Sequence, residues 1–340
     1  MPLKIAINGF GRIGRSFLKI ALDRPDDFDV VAINDLTDEK TLAYLLKYDS
    51  VYGRYNKEVK VIKEAAKSYL SIDNKKILSL TERDPEKLPW KEMKVDVVIE
   101  ATGVFTDSDG ASKHLEAGAK RVVVTAPAKG EIPHLLLGVS DEEFKNNNLS
   151  KITSNGSCTT NAVSPVMKIM SETVGVKKAL LNTIHAYTAN QNIVDGPHGK
   201  LSRGRAAAQN IVPTSTGAAK VTGKVIKELD EKFDGIATRV PVICGSLADL
   251  TFVTGRETSI EEINKIITEA SENKKWKNIL KVTSEPIVSS DIIKDSHASI
   301  VDTSFTKVVD GDLVKVLVWY DNEWGYCSTL IEHILRVCQI

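Results

Sequence analysis

Three things are scarce in this chain of 340 residues. Cysteine occurs only at Cys158, Cys244, Cys327 and Cys338, widely spaced and without a CxxC pair or a Cys/His cluster, which argues against a zinc site and a disulfide framework. Net charge is missing, because 45 Lys and Arg balance 45 Asp and Glu. Neither nucleic acid nor an anionic membrane is therefore indicated as the main partner, and any anion site must be local. Long apolar runs are missing too: no stretch approaches the ~18 residues of a membrane span, and the N-terminus runs straight into a strand without a signal-peptide pattern. The expectation is a cytoplasmic protein with no metal. What is present is an ordinary globular composition, 42 % hydrophobic and 26 % charged, at a length that suits two domains with full cores.

Within that composition one stretch stands out, Ser154-Asn-Gly-Ser-Cys-Thr-Thr-Asn161. A single cysteine sits among small hydrogen-bonding residues where a short strand, residues 151–154, gives way to helical spacing over 162–174. The sulfur is thereby expected over backbone N–H groups at the positive end of a helix, which favours thiolate. An ordinary thiol of pKa about 8.5 is only ~3 % ionised at neutral pH, and a fall of roughly two units would make it mostly nucleophile. The plain alternative is a small inert core residue. Against it stands His185, at the polar end of an apolar strand over residues 177–187, placed to return beside Cys158 as its base. Cys244, Cys327 and Cys338 read as packing residues.

The N-terminal half carries a second signal. Leu3–Asn8 is an apolar strand feeding Gly9-Phe-Gly-Arg-Ile-Gly14 and a helical run over 15–22. A second strand, Phe28–Asn34, ends in Asp35, 21 residues past Gly14. Strand, GxGxxG, helix, strand and acid in that order form a dinucleotide-binding pattern: glycines allow a tight turn, a pyrophosphate rests on the helix N-terminus, and the carboxylate takes the ribose hydroxyls. Because a 2′-phosphate at about 4 Å from Asp35 would be repelled by roughly 4 kcal/mol at an effective dielectric of 20, NAD is expected rather than NADP. Residues 41–48 and 107–117 read as helices, 69–80 as a hairpin, and 95–100 and 121–125 as strands. Alternating strands and helices predict a doubly wound, mostly parallel sheet with its ligand at the strands' carboxyl ends, where Thr102 and Thr125 lie.

In the second half, residues 188–213 have little apolar periodicity, as functional or interfacial loops do. Pro213 to Ala219 then precede a helix over 220–229; hydroxyls and a glycine there suit a phosphate cradle or an ordinary N-cap equally. Residues 235–244 and 246–254 read as antiparallel strands, and Arg239 within the first must find an anion. Residues 260–270 form an amphipathic helix, 308–314 a hairpin around Asp310-Gly311, and the last helix, 327–337, returns to the first domain.

Over essentially its whole length the chain resembles phosphorylating glyceraldehyde-3-phosphate dehydrogenase. The residues that carry the likeness are Ala6-Ile-Asn-Gly-Phe-Gly-Arg-Ile-Gly-Arg15, Asn34-Asp-Leu-Thr-Asp38, Ser157-Cys-Thr-Thr-Asn161, His185-Ala-Tyr-Thr188, Arg205-Ala-Ala-Ala208, Thr216-Gly-Ala-Ala219, Arg239-Val-Pro241 and Trp319-Tyr-Asp-Asn-Glu323. The resemblance implies an α/β fold: a Rossmann-type doubly wound parallel sheet over residues 1–154, completed by a C-terminal helix over 323–340, and an α+β catalytic domain with a mostly antiparallel sheet over 155–322. It also implies a mechanism. Cys158 attacks the aldehyde of glyceraldehyde 3-phosphate with His185 as base, hydride passes to nicotinamide, and inorganic phosphate cleaves the thioester to 1,3-bisphosphoglycerate.

By the same resemblance, Thr188 and Arg239 bind the substrate phosphate, while Ser157, Thr159, Thr216 and Gly217 hold the attacking phosphate with help from Arg239. Gly9, Gly11, Arg12, Ile13, Gly14, Asp35, Arg83, Thr102 and Thr125 contact the dinucleotide, Asn322 holds the nicotinamide amide, and Tyr326 lies beside the ring. The family is tetrameric, with the loop from Thr188 at a subunit interface. Departures from its pattern are Gly156 for alanine, Ala162 where many relatives have a second cysteine, Asn190 for aspartate, and Val242-Ile-Cys-Gly-Ser246. Two other readings stay open: a sister enzyme oxidising erythrose 4-phosphate, and a non-catalytic dinucleotide- or RNA-binding relative.

Overall fold

In a computed structural model, residues 1–338 are described. They divide into two compact units, one of Met1–Leu135, Glu142–Gly156 and the segment from Leu330, the other of Leu136–Asp141 and Ser157–Thr329. The final helix, expected over 323–340, runs Trp324–Cys338, and residues 339 and 340 lie outside the described residues. Among the described residues no helix is long and apolar enough to cross a membrane.

The first unit is built on an eight-stranded sheet. Its order from one edge is Ile152–Ser154, Arg121–Val124, Val97–Glu100, Leu3–Asn8, Phe28–Asn34, Lys75–Leu80, Lys67–Ile72 and Val59–Glu64. The first six are parallel and the last two join antiparallel. The central strands are near-continuous apolar runs, as a sheet covered on both faces requires: Ile5, Ala6, Ile7, Val97, Val98 and Ile99 are fully buried. Helix starts follow capping chemistry. The helix expected from residue 41 begins at Glu39, because Asp38 accepts from the N–H groups of Lys40 and Thr41. Asp107 likewise caps Ser108–Glu116 through Gly110 N–H.

The second unit carries a seven-stranded sheet ordered Val212–Ser215, Phe233–Val240, Val176–Ala186, Ser246–Thr254, Leu313–Tyr320, Ser299–Val309 and Leu280–Thr283. Four of its pairings are antiparallel and two are parallel. Phe233–Val240 and Ser246–Thr254, read from sequence as antiparallel strands, are not neighbours: Val176–Ala186 lies between them, parallel to the first and antiparallel to the second. The first of them also stops short of the expected residue 244, ahead of Pro241, which has no N–H to give a ladder. Against this sheet packs the helix Cys158–Thr173, whose Ala162, Val163, Val166, Met167 and Met170 are fully buried. The helix expected over 220–229 is Ala218–Val225 followed by a separate 3-10 turn, Lys227–Leu229.

Candidate active site

Ser157 is the residue that starts the cysteine helix. Its backbone is extended, φ −109° and ψ 168°, and its hydroxyl accepts from Thr160 N–H at 3.1 Å, which makes it the N-cap and Cys158 the first helical residue. First-turn N–H groups have no partner within a helix, so those of Cys158 and Thr159 surround the sulfur with donors. His185 approaches from the sheet. It is the penultimate residue of Val176–Ala186, and its Nε2 lies 3.5 Å from Cys158 Sγ. The parallel register of that strand with Phe233–Val240 sets Arg239 directly opposite His185.

This register has a chemical consequence. His185 Nδ1 is 2.6 Å from the carbonyl oxygen of Ala186 and 2.8 Å from Arg239 Nη1, which also donates to that carbonyl at 2.8 Å. Arginine can only donate. Either Nδ1 accepts from Arg239 and the ring hydrogen is on Nε2, or Nδ1–H donates to Ala186 and Nε2 presents a lone pair to sulfur. Only the second tautomer makes Nε2 a base.

The charge states differ from the sequence expectation of a lowered thiol pKa. Burial is the largest influence on Cys158 and pushes its thiol up, while Arg239 and the N–H of Thr159 pull it down. The residue keeps part of its surface open, so desolvation there is weaker than in a dry core and those opposing donors count for more. Burial, and then Arg239, lower His185 to about 3, leaving a neutral imidazole able to accept a proton throughout the neutral range. Around Cys158, burial thus works against the expected thiolate, and Arg239 and the Thr159 N–H work for it. Burial also raises the Tyr320 phenol, whose OH lies 2.8 Å from Thr159 Oγ1 and 2.7 Å from Thr183 Oγ1. The Tyr320 ring meets His185 edge-on at 6.0 Å.

Arg239 bonds to His185 and the Ala186 carbonyl and has no carboxylate partner among the described residues, and its Nε is buried without a hydrogen-bond partner there. A second guanidinium, Arg203, lies near enough to lower both His185 and Arg239 further, and among the described residues it bonds to Thr214, Asn190 and the Ser215 carbonyl, none of them an anion. Two unneutralised cations around a nucleophile make an anion site. Thr188 is half-buried just beyond the base strand. Thr216 accepts from Ala218 N–H at 3.2 Å, and Gly217 is the N-cap of Ala218–Val225. Neither Thr188, Thr216 nor Gly217 is hydrogen-bonded to Cys158, His185 or Arg239 among the described residues.

The first unit holds a cavity of about 370 Å³ lined by Asn8, Gly9, Gly11, Asp35, Arg83 and Thr102 among others, within the size range of small-molecule sites. Gly9 has φ 94°, and a Cβ there would lie 2.6 Å from Thr102 N, so only glycine lets these strand ends close up. At Gly11, by contrast, the space a Cβ would enter is open. It faces the start of Arg12–Leu22, whose first turn contains Arg12, Ile13 and Gly14. Asp35 is fixed by Phe10 N–H at 2.8 Å and Thr37 N–H at 2.9 Å, one on each oxygen. The set fits a dinucleotide: an acceptor pair for ribose, open space over a glycine, and a helix N-terminus for pyrophosphate.

Not every expected cofactor residue meets that cavity. Arg12 spends its guanidinium on Asp49 at 2.8 Å. Thr125 bonds the Glu100 carbonyl oxygen at 3.0 Å through its hydroxyl. Asn322 and Tyr326 are buried in the second unit. Sequence reasoning missed the roles of Tyr320 and Arg203. Nothing local marks either residue, because only strand pairing and loop folding bring them near Cys158.

Comparison with known proteins gives a consistent result. Residues 157–322 match the family model described as glyceraldehyde 3-phosphate dehydrogenase, C-terminal domain, and residues 3–108 match glyceraldehyde 3-phosphate dehydrogenase, NAD binding domain. A glyceraldehyde-3-phosphate dehydrogenase of Borreliella burgdorferi is 49% identical over 336 residues, 97% of this chain and 98% of that protein. One of Streptomyces coelicolor is 46% identical over 98% of this chain and 97% of its own length. One of Mycobacterium leprae is 47% identical over the same two fractions, 98% and 97%.

Proposed function

The chain belongs to the glyceraldehyde-3-phosphate dehydrogenase family, and from that premise we propose that it oxidises D-glyceraldehyde 3-phosphate to 1,3-bisphosphoglycerate with NAD and inorganic phosphate. The observation that carries this reading is Cys158 Sγ 3.5 Å from His185 Nε2, beside a guanidinium that meets no carboxylate among the described residues. In this reading residues 1–154 and the last helix hold NAD, residues 155–322 do the chemistry, and the working form is a cytoplasmic homotetramer.

Cys158 sulfur adds to the aldehyde carbon as His185 Nε2 takes the thiol proton. The resulting alkoxide is held by the N–H groups at the helix start and reprotonated to a thiohemiacetal. His185 is then placed to remove the hydroxyl proton of the thiohemiacetal, and NAD, when bound, would supply the acceptor for the hydride of that carbon. The product is a thioester on Cys158. An oxygen of inorganic phosphate attacks it, the C–S bond breaks, and the sulfur leaves as the thiolate. Arg239 and Thr188 take the phosphate of the substrate. Ser157, Thr159, Thr216 and Gly217, with Arg239, place the attacking phosphate. Asp35, Arg83 and Gly9 hold the adenosine end of NAD, and Asn322 and Tyr326 its nicotinamide end.

The test is NAD reduction with glyceraldehyde 3-phosphate, with and without inorganic phosphate. Turnover is expected to need phosphate and to fall at least about 10⁴-fold in Cys158→Ser. Sustained turnover without phosphate or arsenate would mean a hydrolysing aldehyde dehydrogenase instead.

A further inference from the structure

We propose that Ser246 is a positioning residue that ties the base to Asn322 and fixes which end of the Asn322 amide is offered to the cofactor. This rests on the reading of His185 and Asn322 given above. Ser246 opens the strand Ser246–Thr254 and is 1 % exposed. Its hydroxyl does two things at once: Oγ accepts from Ala186 N–H at 3.1 Å and donates to Asn322 Oδ1 at 2.9 Å.

The assignment of donor and acceptor is forced. An asparagine amide has the same shape either way round, so its oxygen must be identified from its neighbours. Gly245 N–H lies 3.0 Å from the same Asn322 atom, and a backbone N–H only donates, so that atom is oxygen. The Ser246 hydrogen is then directed to Oδ1, which leaves its lone pairs for Ala186. With Oδ1 met by two donors, the end of Asn322 that stays available is Nδ2, which meets no acceptor among the described residues. Gly245 is held in place for this task. Its φ is 90°, and a Cβ would come 2.3 Å from Ser289 O. The departure noted at residues 242–246 thus contains the two donors that orient the amide.

Two consequences follow. An amide presented through Nδ2 can only donate, so on the nicotinamide substituent it reads the carbonyl oxygen and is indifferent to the amine. The Ala186 N–H belongs to the peptide that follows His185, and the carbonyl of Ala186 is the acceptor that draws the Nδ1 hydrogen when Nε2 is to be the base. One hydroxyl therefore links the orientation of the base to the orientation of the cofactor-reading side chain.

Equilibrium binding by calorimetry tests this without turnover, using the full chain with NAD and with 3-acetylpyridine adenine dinucleotide, which keeps the carbonyl and lacks the amine. Wild type is expected to bind the two within about threefold of each other. A loss of about thirtyfold or more for the analogue overturns the oxygen-reading assignment, and it needs no variant. Ser246→Ala is expected to weaken NAD binding about tenfold, the size of one lost hydrogen bond, and to change the ratio of the two ligands in favour of NAD, because a loosened amide can turn its oxygen to the amine. Ser246→Thr, which keeps the hydroxyl, is expected to restore both. Ser246→Ala with unchanged affinity and ratio, in a protein of normal melting temperature, refutes the positioning role. Asn322→Ala separates the two layers of the argument: unchanged NAD binding there removes Asn322 from the cofactor site itself, whereas weakened binding with a silent Ser246→Ala removes Ser246 alone.

Discussion

In the first unit the cavity at Gly9, Asp35 and Thr102 is made by neighbouring strand ends of one parallel sheet, and its key groups are backbone N–H donors, a glycine and one carboxylate. In the second, Cys158 comes from a helix start, His185 and Arg239 from adjacent parallel strands, and Tyr320 from a third strand two places across the sheet from His185. The first surface depends on shape that a contiguous motif can encode. The second depends on charge and proton position, which only distant chain segments brought into register can supply. Binding and chemistry should therefore separate under mutation, and four perturbations bear on whether they do.

The largest effect is expected at the base. His185→Gln should lower kcat by about 10²–10⁴-fold while NAD affinity, measured by fluorescence quenching, stays within about twofold; a parallel loss of affinity would show that the two sites are not separable. Next comes Gly9→Ala. Its new Cβ, 2.6 Å from Thr102 N at φ 94°, should weaken NAD by about a hundredfold or more, the equivalent of roughly 3 kcal/mol of strain at a left-handed position. Labelling of Cys158 by iodoacetamide without NAD should be unchanged.

Asp35→Ala sits third. Removing the like charge should raise the NADP-to-NAD preference by about tenfold or more, read as the ratio of kcat/KM, and an unaltered ratio would take Asp35 out of cofactor choice.

Acid stability is the most symmetric probe, because each unit holds a buried histidine whose pKa burial lowers. His185 is lowered to about 3 and His333 to about 4, both chiefly by burial. His333 Nδ1 donates to the Leu135 carbonyl at 3.1 Å, which leaves Nε2 to accept from Thr153 Oγ1 at 2.8 Å. The unfolded chain protonates each ring near pH 6.5 and the folded chain does not until much lower, so their contribution is whole above about pH 6.5 and is lost as pH falls. The slope is roughly 1.4 kcal/mol per pH unit for each histidine. Urea midpoints at pH 7 and pH 5 should show it, and His185→Gln should remove the share of the second unit only.

Much of this is legible in the sequence alone, and unevenly so. The strand Leu3–Asn8, the glycine turn and Asp35 are consecutive, so their meaning survives in the sequence. Cys158 and His185 were found through local chemistry, a cysteine among hydroxyls and a histidine ending an apolar strand. The pairing of residues 235–244 with 246–254 was misread because nothing in either strand announces that Val176–Ala186 lies between them. The influences on the thiol are split in the same way: helix position is local, whereas the burial that opposes ionisation is set by the whole fold. Tyr320 needed strand register, and the proton placement at Asn322 needed the atoms of Gly245 and Ser246 together.

The register that faces His185 with Arg239 also governs how this enzyme can change over generations. Side chains alternate between the two faces of a strand, so inserting or deleting one codon upstream in Val176–Ala186 would carry the imidazole to the wrong side of the sheet and bring a different residue opposite the guanidinium. Length variation is closed in these two ladders. Lineages should drift there by substitution alone, and an indel in either strand would mark a gene that has given up this chemistry.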